Sequence, residues 1–340
     1  MSQPAIRLER RAQAELGDFP IDAAWSADGR TLLVAGGTGA LTWLDATVPR
    51  PAPQRLGVHA GGALALAWQN GGQHFASSGQ DGEVRLWDAR TRAARVIHAS
   101  ATWSECLAWS ANGRALAIAT GRELAIHASD GTLRVRLPPQ AGVIAAIAWR
   151  GRTSELASVG NGGAHVHRLE PELLTRSYPW QGACLSASWS PDGRVLASGM
   201  QDGSVHFWNV AAGTQSQMRG YGAKVPLTSW NAASRLLATA ADELIIVWDF
   251  SGSGPEGSEP LQLRAHTARL TQLAFQPKGS LLAAGARDHR LTLWRMAQPQ
   301  QPVDADMYGD EVALLRWSND GTALAVADRS GALTVYGVRQ

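Results

Sequence analysis

Short apolar runs of five or six residues recur along the whole chain, each followed by a polar cluster rich in Gly, Asp, Asn and Ser. One kind of run ends in an aromatic residue, at Trp25, Trp68, Trp109, Trp149, Trp189, Trp230, Phe275 and Trp317. The gaps between these anchors are 43, 41, 40, 40, 41, 45 and 42 residues, so a period near 41 spans almost the entire sequence. A fixed period of this length marks a repeat architecture.

Two more columns keep the register. Seven residues after each anchor stands a large apolar residue: Leu32, Phe75, Leu116, Leu156, Leu196, Leu237, Leu282 and Leu324. Eighteen or nineteen residues after it come Trp43, Trp87, His127, His167, Trp208, Trp248, Trp294 and Tyr336. The residue before the anchor is small in seven copies, with Arg316 the exception. Runs such as LALAW, HFASS and EVRLWD read as strands, and the intervening QNGG, GQDG, SADG, SPDG and SNDG read as turns. A more polar fourth run follows each triplet, as in residues 93–98 and 132–137. No segment carries a helical period of useful length. Four strands in about 41 residues is the signature of a propeller blade.

The segments 196–209 (LASGMQDGSVHFWN), 75–88 (FASSGQDGEVRLWD) and 189–194 (WSPDGR) resemble the WD-repeat family, and the resemblance extends over essentially the whole chain. The expected fold is all-β: one eight-bladed WD-repeat β-propeller over residues 1–340, with four-stranded antiparallel blades. The inner triplets are expected at about 21–45, 64–88, 105–128, 145–169, 185–209, 226–249, 271–295 and 313–336. Seven blades plus an irregular segment is the alternative. Only Gly337 to Gln340 follow the last triplet, too few for an outer strand. The resemblance implies that residues 5–16 (AIRLERRAQAEL) supply it and close the ring. It also implies a hydrogen-bond network inside a blade, for which His59, Ser77, Asp81 and Trp87 of the second copy form the full set. The fifth, sixth and seventh copies keep parts of it, and the third and fourth have lost most of it.

Composition narrows the function more than the fold. The 340 residues carry a formal net charge of +2, with 45% hydrophobic and 18% charged residues, which disfavours a nucleic-acid or anionic-membrane partner. No apolar stretch is long enough for a membrane helix, and the first residues have no secretory h-region. Two cysteines, Cys106 and Cys184, make no disulfide framework, so a reducing cytoplasm is expected. High Ala and Arg content suggests a bacterial source. A closed ring needs no oligomer, so a monomer is expected.

No CxxC, HExxH, GxSxG or phosphate-binding loop is present, and the Gly-rich stretches 36–40 and 160–163 sit at strand turns. The chain is therefore expected to be a non-catalytic scaffold without a cofactor, binding a protein or peptide. In the family, the loops entering first strands and the turns between second and third strands share the docking face. On that face the candidate contacts are Phe19, Trp103, Lys224 and Arg269, six residues before their anchors. Trp180, Tyr221 and Tyr308, nine before, are further candidates, as are Arg122, Arg287 and His289 in the turns. Trp, Tyr and Arg suit binding hot spots, but Trp180, Tyr221 and Tyr308 also fit blade packing in place of a missing His. A second function class is an accessory protein binding a metal or small ligand in the channel or at strand histidines. Its candidate ligands are His165 and His167, two apart on one strand face, and His206 in the next copy. The longer loops 251–260 and 296–306 are expected on the opposite face.

Overall fold

A computed structural model describes residues 6–252 and 254–339. Its strands form eight antiparallel sheets. The blades run over 20–58, 63–99, 104–136, 144–183, 188–218, 227–263 and 270–307, and the eighth joins 312–339 to the N-terminal strand Arg7–Glu15. The ring is an eight-bladed propeller, and the seven-bladed alternative is excluded. Arg7–Glu15 pairs with Ala332–Arg339 from Arg7↔Arg339 to Glu15↔Ala332. Of the expected closing segment, Ala5 lies outside the described residues.

The anchor column has a direct physical cause. Apart from Trp68, whose indole N–H is buried without a partner, each Trp at the end of a first strand reaches the preceding blade, where its indole N–H donates to the carbonyl of the residue before that blade's own anchor. The pairs are Trp109 to Ala67 (3.2 Å), Trp149 to Ala108 (2.9 Å), Trp189 to Ala148 (3.1 Å), Trp230 to Ser188 (3.2 Å) and Trp317 to Ala274 (3.1 Å). A small residue at that position leaves room for the incoming ring. Phe275 has no such donor, and its backbone N–H bonds Ser229 Oγ instead at 2.9 Å. The second column supplies the fully buried floor of each blade, from Leu32 and Phe75 to Leu324.

The turn motif is equally explicit. Ser26 Oγ donates to Asp28 at 2.5 Å and accepts the Thr31 amide at 2.9 Å, closing the hairpin. Ser110 with Asn112, Ser190 with Asp192 and Ser318 with Asp320 repeat it. At the other end of the hairpins, Gly82 has φ 75°, and a Cβ added there would collide with the Ser100 carbonyl.

Blade 4 departs from the pattern. Its second and third strands form one continuous segment, Glu155–Arg168, whose halves pair with different neighbours. Ser158 Oγ lies 2.9 Å from His167 Nε2. Nine residues of straight strand would span roughly 30 Å, so the segment folds back on itself, at Gly162 and Gly163 with φ 99° and 118°. Among the described residues no helix is long and apolar enough to cross a membrane.

Candidate functional site

The loop entering each first strand is tied to a neighbouring second-to-third-strand turn. Gly37 N–H donates to Phe19 O (2.8 Å), Ile144 N–H to Gly121 O (2.8 Å), Arg287 N–H to Arg269 O (3.0 Å) and Arg329 N–H to Glu311 O (2.9 Å). These bonds place Phe19, Arg122, Arg269 and Arg287 on one face, and Trp103, Lys224 and His289 hold the equivalent loop and turn positions of their own blades.

That face is divided. Phe19 of blade 1, Trp103 of blade 3 and Val143 of blade 4 are 39%, 50% and 56% exposed, in a molecule whose other large aromatics are mostly packed away. Arg122 is exposed beside Trp103 and Val143: Gly121 approaches Thr102, and the Arg122 carbonyl accepts Gln140 N–H. Across the ring, Lys224 and Arg287 are exposed and Arg269 is half-buried. Glu311 holds Arg287 at 3.3 Å and Arg329 at 3.0 Å. The Arg329 guanidinium in turn lies 5.5 Å over the Phe19 ring. This chain fixes the geometry from blade 7 to blade 1. His289 sits in a tight turn with φ 64°, its carbonyl accepting Tyr308 N–H. Val143, Glu311 and Arg329 were not selected from the sequence. Val143 and Glu311 share the column of Phe19 and Trp103, and Arg329 holds the same turn as Arg287, so position alone could have found them.

Trp180, Tyr221 and Tyr308 face the other way, into their blades. Tyr221 Oη lies 2.6 Å from Thr239 Oγ1 and accepts Trp248 Nε1–H at 2.7 Å. Tyr308 Oη lies 2.8 Å from Tyr336 Oη, whose O–H donates to Asp306 at 2.7 Å, and Asp306 also binds Arg10. Trp180 stacks on His206 at 3.8 Å. The two tyrosine hydroxyls and the Trp180 ring are engaged within the fold, and Trp180 Nε1 is buried without a partner.

The network of the second copy is complete: His59 Nδ1 to Asp81 (2.9 Å), His59 Nε2 to Ser77 Oγ (2.8 Å) and Trp87 Nε1–H to Ser77 Oγ (2.9 Å). Blades 4, 6 and 7 rebuild it with different groups, whereas in blade 5 Trp208 Nε1 and both ring nitrogens of His206 are buried without a partner. In blade 7, Thr292 replaces the missing hydroxyl, bonding both His266 and Trp294 at 2.9 Å. Blade 4 retains more than its sequence suggests, because Gln140 takes the His place and His167 the Trp place, both meeting Ser158 Oγ.

The same bonds argue against a metal at the strand histidines. His167 has both ring nitrogens 2.9 Å from hydroxyls, those of Ser158 and Thr175. His165 meets Ser177 at 3.0 Å. His206 is packed between Trp180 and Trp208 in the next blade. Burial pushes His167 and His206 down to about 4. Among the described residues no group of three or more His, Cys, Asp or Glu converges on one point. Cys106 and Cys184 are both free thiols, and burial pushes Cys106 up to about 12, so it is a poor nucleophile.

The family model described as "WD domain, G-beta repeat" matches residues 53–88, 174–209 and 257–295. Each match takes in the outer strand of one blade and the inner three of the next. The chain is 28% identical over 247 residues to the "B-type cell cycle switch protein ccs52A" of Medicago truncatula, covering 68% of this chain and 50% of that protein. It is 24% identical over 251 residues to the "WD repeat-containing protein slp1" of Schizosaccharomyces pombe, covering 68% and 49%. It is 25% identical over 280 residues to "Cell division cycle 20.6, cofactor of APC complex" of Arabidopsis thaliana, covering 80% and 56%. The chain thus spans about half the length of these curated relatives. All are plant or fungal, so the bacterial source expected from composition has no counterpart among them.

Proposed function

We propose that this chain, a WD40 β-propeller, is a non-catalytic scaffold that binds a protein or peptide through the face carrying Phe19, Trp103 and Val143. The observation that carries the reading is Trp103, half exposed on a loop whose column does not require an aromatic. An exposed Trp costs solubility and returns contact area when covered. Two of these relatives are named as cell-cycle proteins, one of them as a cofactor of a complex, which supports an adaptor role within a larger assembly. The free thiols support a cytoplasmic setting, and the closed ring supports a monomer.

The test is affinity capture from lysate with wild type and Trp103→Ala, alongside thermal melting of both. A partner held by wild type and lost by the folded variant is the expected result. Equal recovery by both proteins would move the docking site off this face.

A further inference from the structure

On the face opposite Trp103, the turn between the first two strands of blade 4 lies beside the corresponding turn of blade 5. Between them is a cleft of about 420 Å3, lined among others by Arg150, Arg152, Glu155, Arg168, Asp192 and Gly193. That volume is in the range of small-ligand pockets.

Two of the three arginines stand at positions where several other copies carry an acid or amide, blade 7 being the other copy with basic residues there, Lys278 and Arg295. Arg152 occupies the turn position of Asp28, Asn112, Asp192 and Asp320 in other copies. Arg168 occupies the position of Asp88, Asn209 and Asp249 at the end of the third strand. Both reversals fall in one cleft.

The cleft's own carboxylates are already engaged. Glu155 pairs with Arg150, whose Nε donates to Gly193 O at 2.7 Å and whose guanidinium covers Trp189 at 5.2 Å. Asp192 accepts the Ser190 hydroxyl at 2.6 Å and the Arg194 amide at 3.1 Å. Arg152 and Arg168 have no acidic partner among the described residues. Arg168 Nε is moreover buried without any acceptor. A buried guanidinium N–H left unpaired is costly, and an oxyanion would relieve it. The planar fork of arginine matches two oxygens of a phosphoryl group.

We propose that this cleft binds a phosphoryl group, as free phosphate or as a phosphate monoester, between Arg168 and Arg152. The site is separate from the docking face and does not depend on it.

Calorimetric titration tests this with inorganic phosphate, N-acetyl-O-phosphoserine amide and the unphosphorylated parent amide as probes. The proteins are wild type, Arg168→Met, Arg152→Gln and, as a control in the same turn of blade 3, Arg114→Gln. Wild type and Arg114→Gln should bind a phosphorylated probe and ignore the parent. Arg168→Met and Arg152→Gln should each weaken binding about tenfold or more. Tighter binding of phosphoserine than of phosphate identifies a modified protein as the source, and the reverse identifies the free ion. If Arg168→Met melts early, the exposed Arg152 carries the test alone. Failure of wild type to bind either phosphorylated probe, or undiminished binding by Arg152→Gln and a folded Arg168→Met, would overturn the proposal.

Discussion

Trp25 Nε1–H donates to the carbonyl of Arg316 at 3.0 Å, across 291 positions of sequence. The same bond joins five other pairs of neighbouring blades, and here it is made between the first and the last. Arg316, the one large residue in its column, turns its guanidinium back to Asp22 at 2.8 Å. Asp22 also accepts the Leu66 amide of blade 2 at 2.9 Å. The ring is therefore sealed at its inner edge by side chains and at its outer edge by the N-terminal strand.

Trp149→Phe should lower stability by at least about 0.5–1.5 kcal/mol, the net value of one hydrogen bond, because it removes the indole N–H together with part of the ring. Urea unfolding measures it. The natural Phe275 shows that a blade tolerates the change.

Removal of residues 1–16 should destabilise the whole ring. Ala12 is buried in the blade's core, Arg10 pairs with Asp306 at 2.7 Å, and the edge of Ala332–Arg339 would be left open. Arg10→Ala alone should cost no more than about 1 kcal/mol, since the arginine is half exposed. Thermal melting of the truncated and point variants separates the two effects; an unchanged melting temperature on truncation contradicts the closure.

Ser77→Ala leaves two buried groups, His59 Nε2 and Trp87 Nε1, without a partner. The expected loss is about 1–3 kcal/mol. Ser198→Ala, at the same position in blade 5, should cost less, because Ser198 donates only to the Gly199 carbonyl. Chemical denaturation of the pair checks the order.

Burial lowers His59, His98, His127, His167, His206 and His266 below the ordinary histidine value. The unfolded chain therefore binds protons first. Stability should be full above about pH 6.5 and fall as the pH drops toward about 4. Lowered carboxylates at Asp81 and Asp288 extend the loss below that. Urea midpoints at a series of pH values measure the slope; a midpoint that does not fall between neutrality and pH 5 contradicts it.

The repeat register was legible because it is imposed by backbone-level needs: an indole that must reach the preceding blade, a Ser–Asp turn, a Gly where a carbonyl presses in. Those needs recur at fixed spacing and select residue types. The internal networks were legible only where the usual residues were kept. Thr292 and Gln140 were missed because a hydroxyl or amide arriving from another strand satisfies the same donor. Trp180, Tyr221 and Tyr308 share a column with His59, and spacing alone does not say whether an aromatic there turns inward. Trp103 differed in standing in a column that also holds Gly62, Ala183, Lys224, Arg269 and Glu311, so the fold does not require an aromatic there.

Trp103→Ala should leave stability within about 0.5 kcal/mol of wild type, whereas Trp208→Ala, fully buried, should cost about 3–5 kcal/mol. Melting curves of the two variants distinguish a surface tryptophan from a core one.

The most direct test of the scaffold reading is hydrogen exchange of the propeller with and without its captured partner. Protection should gather on the loops around Phe19, Trp103, Arg122 and Val143. Protection confined to the turns at 150–154 and 190–193, or to the outer strands, would contradict it.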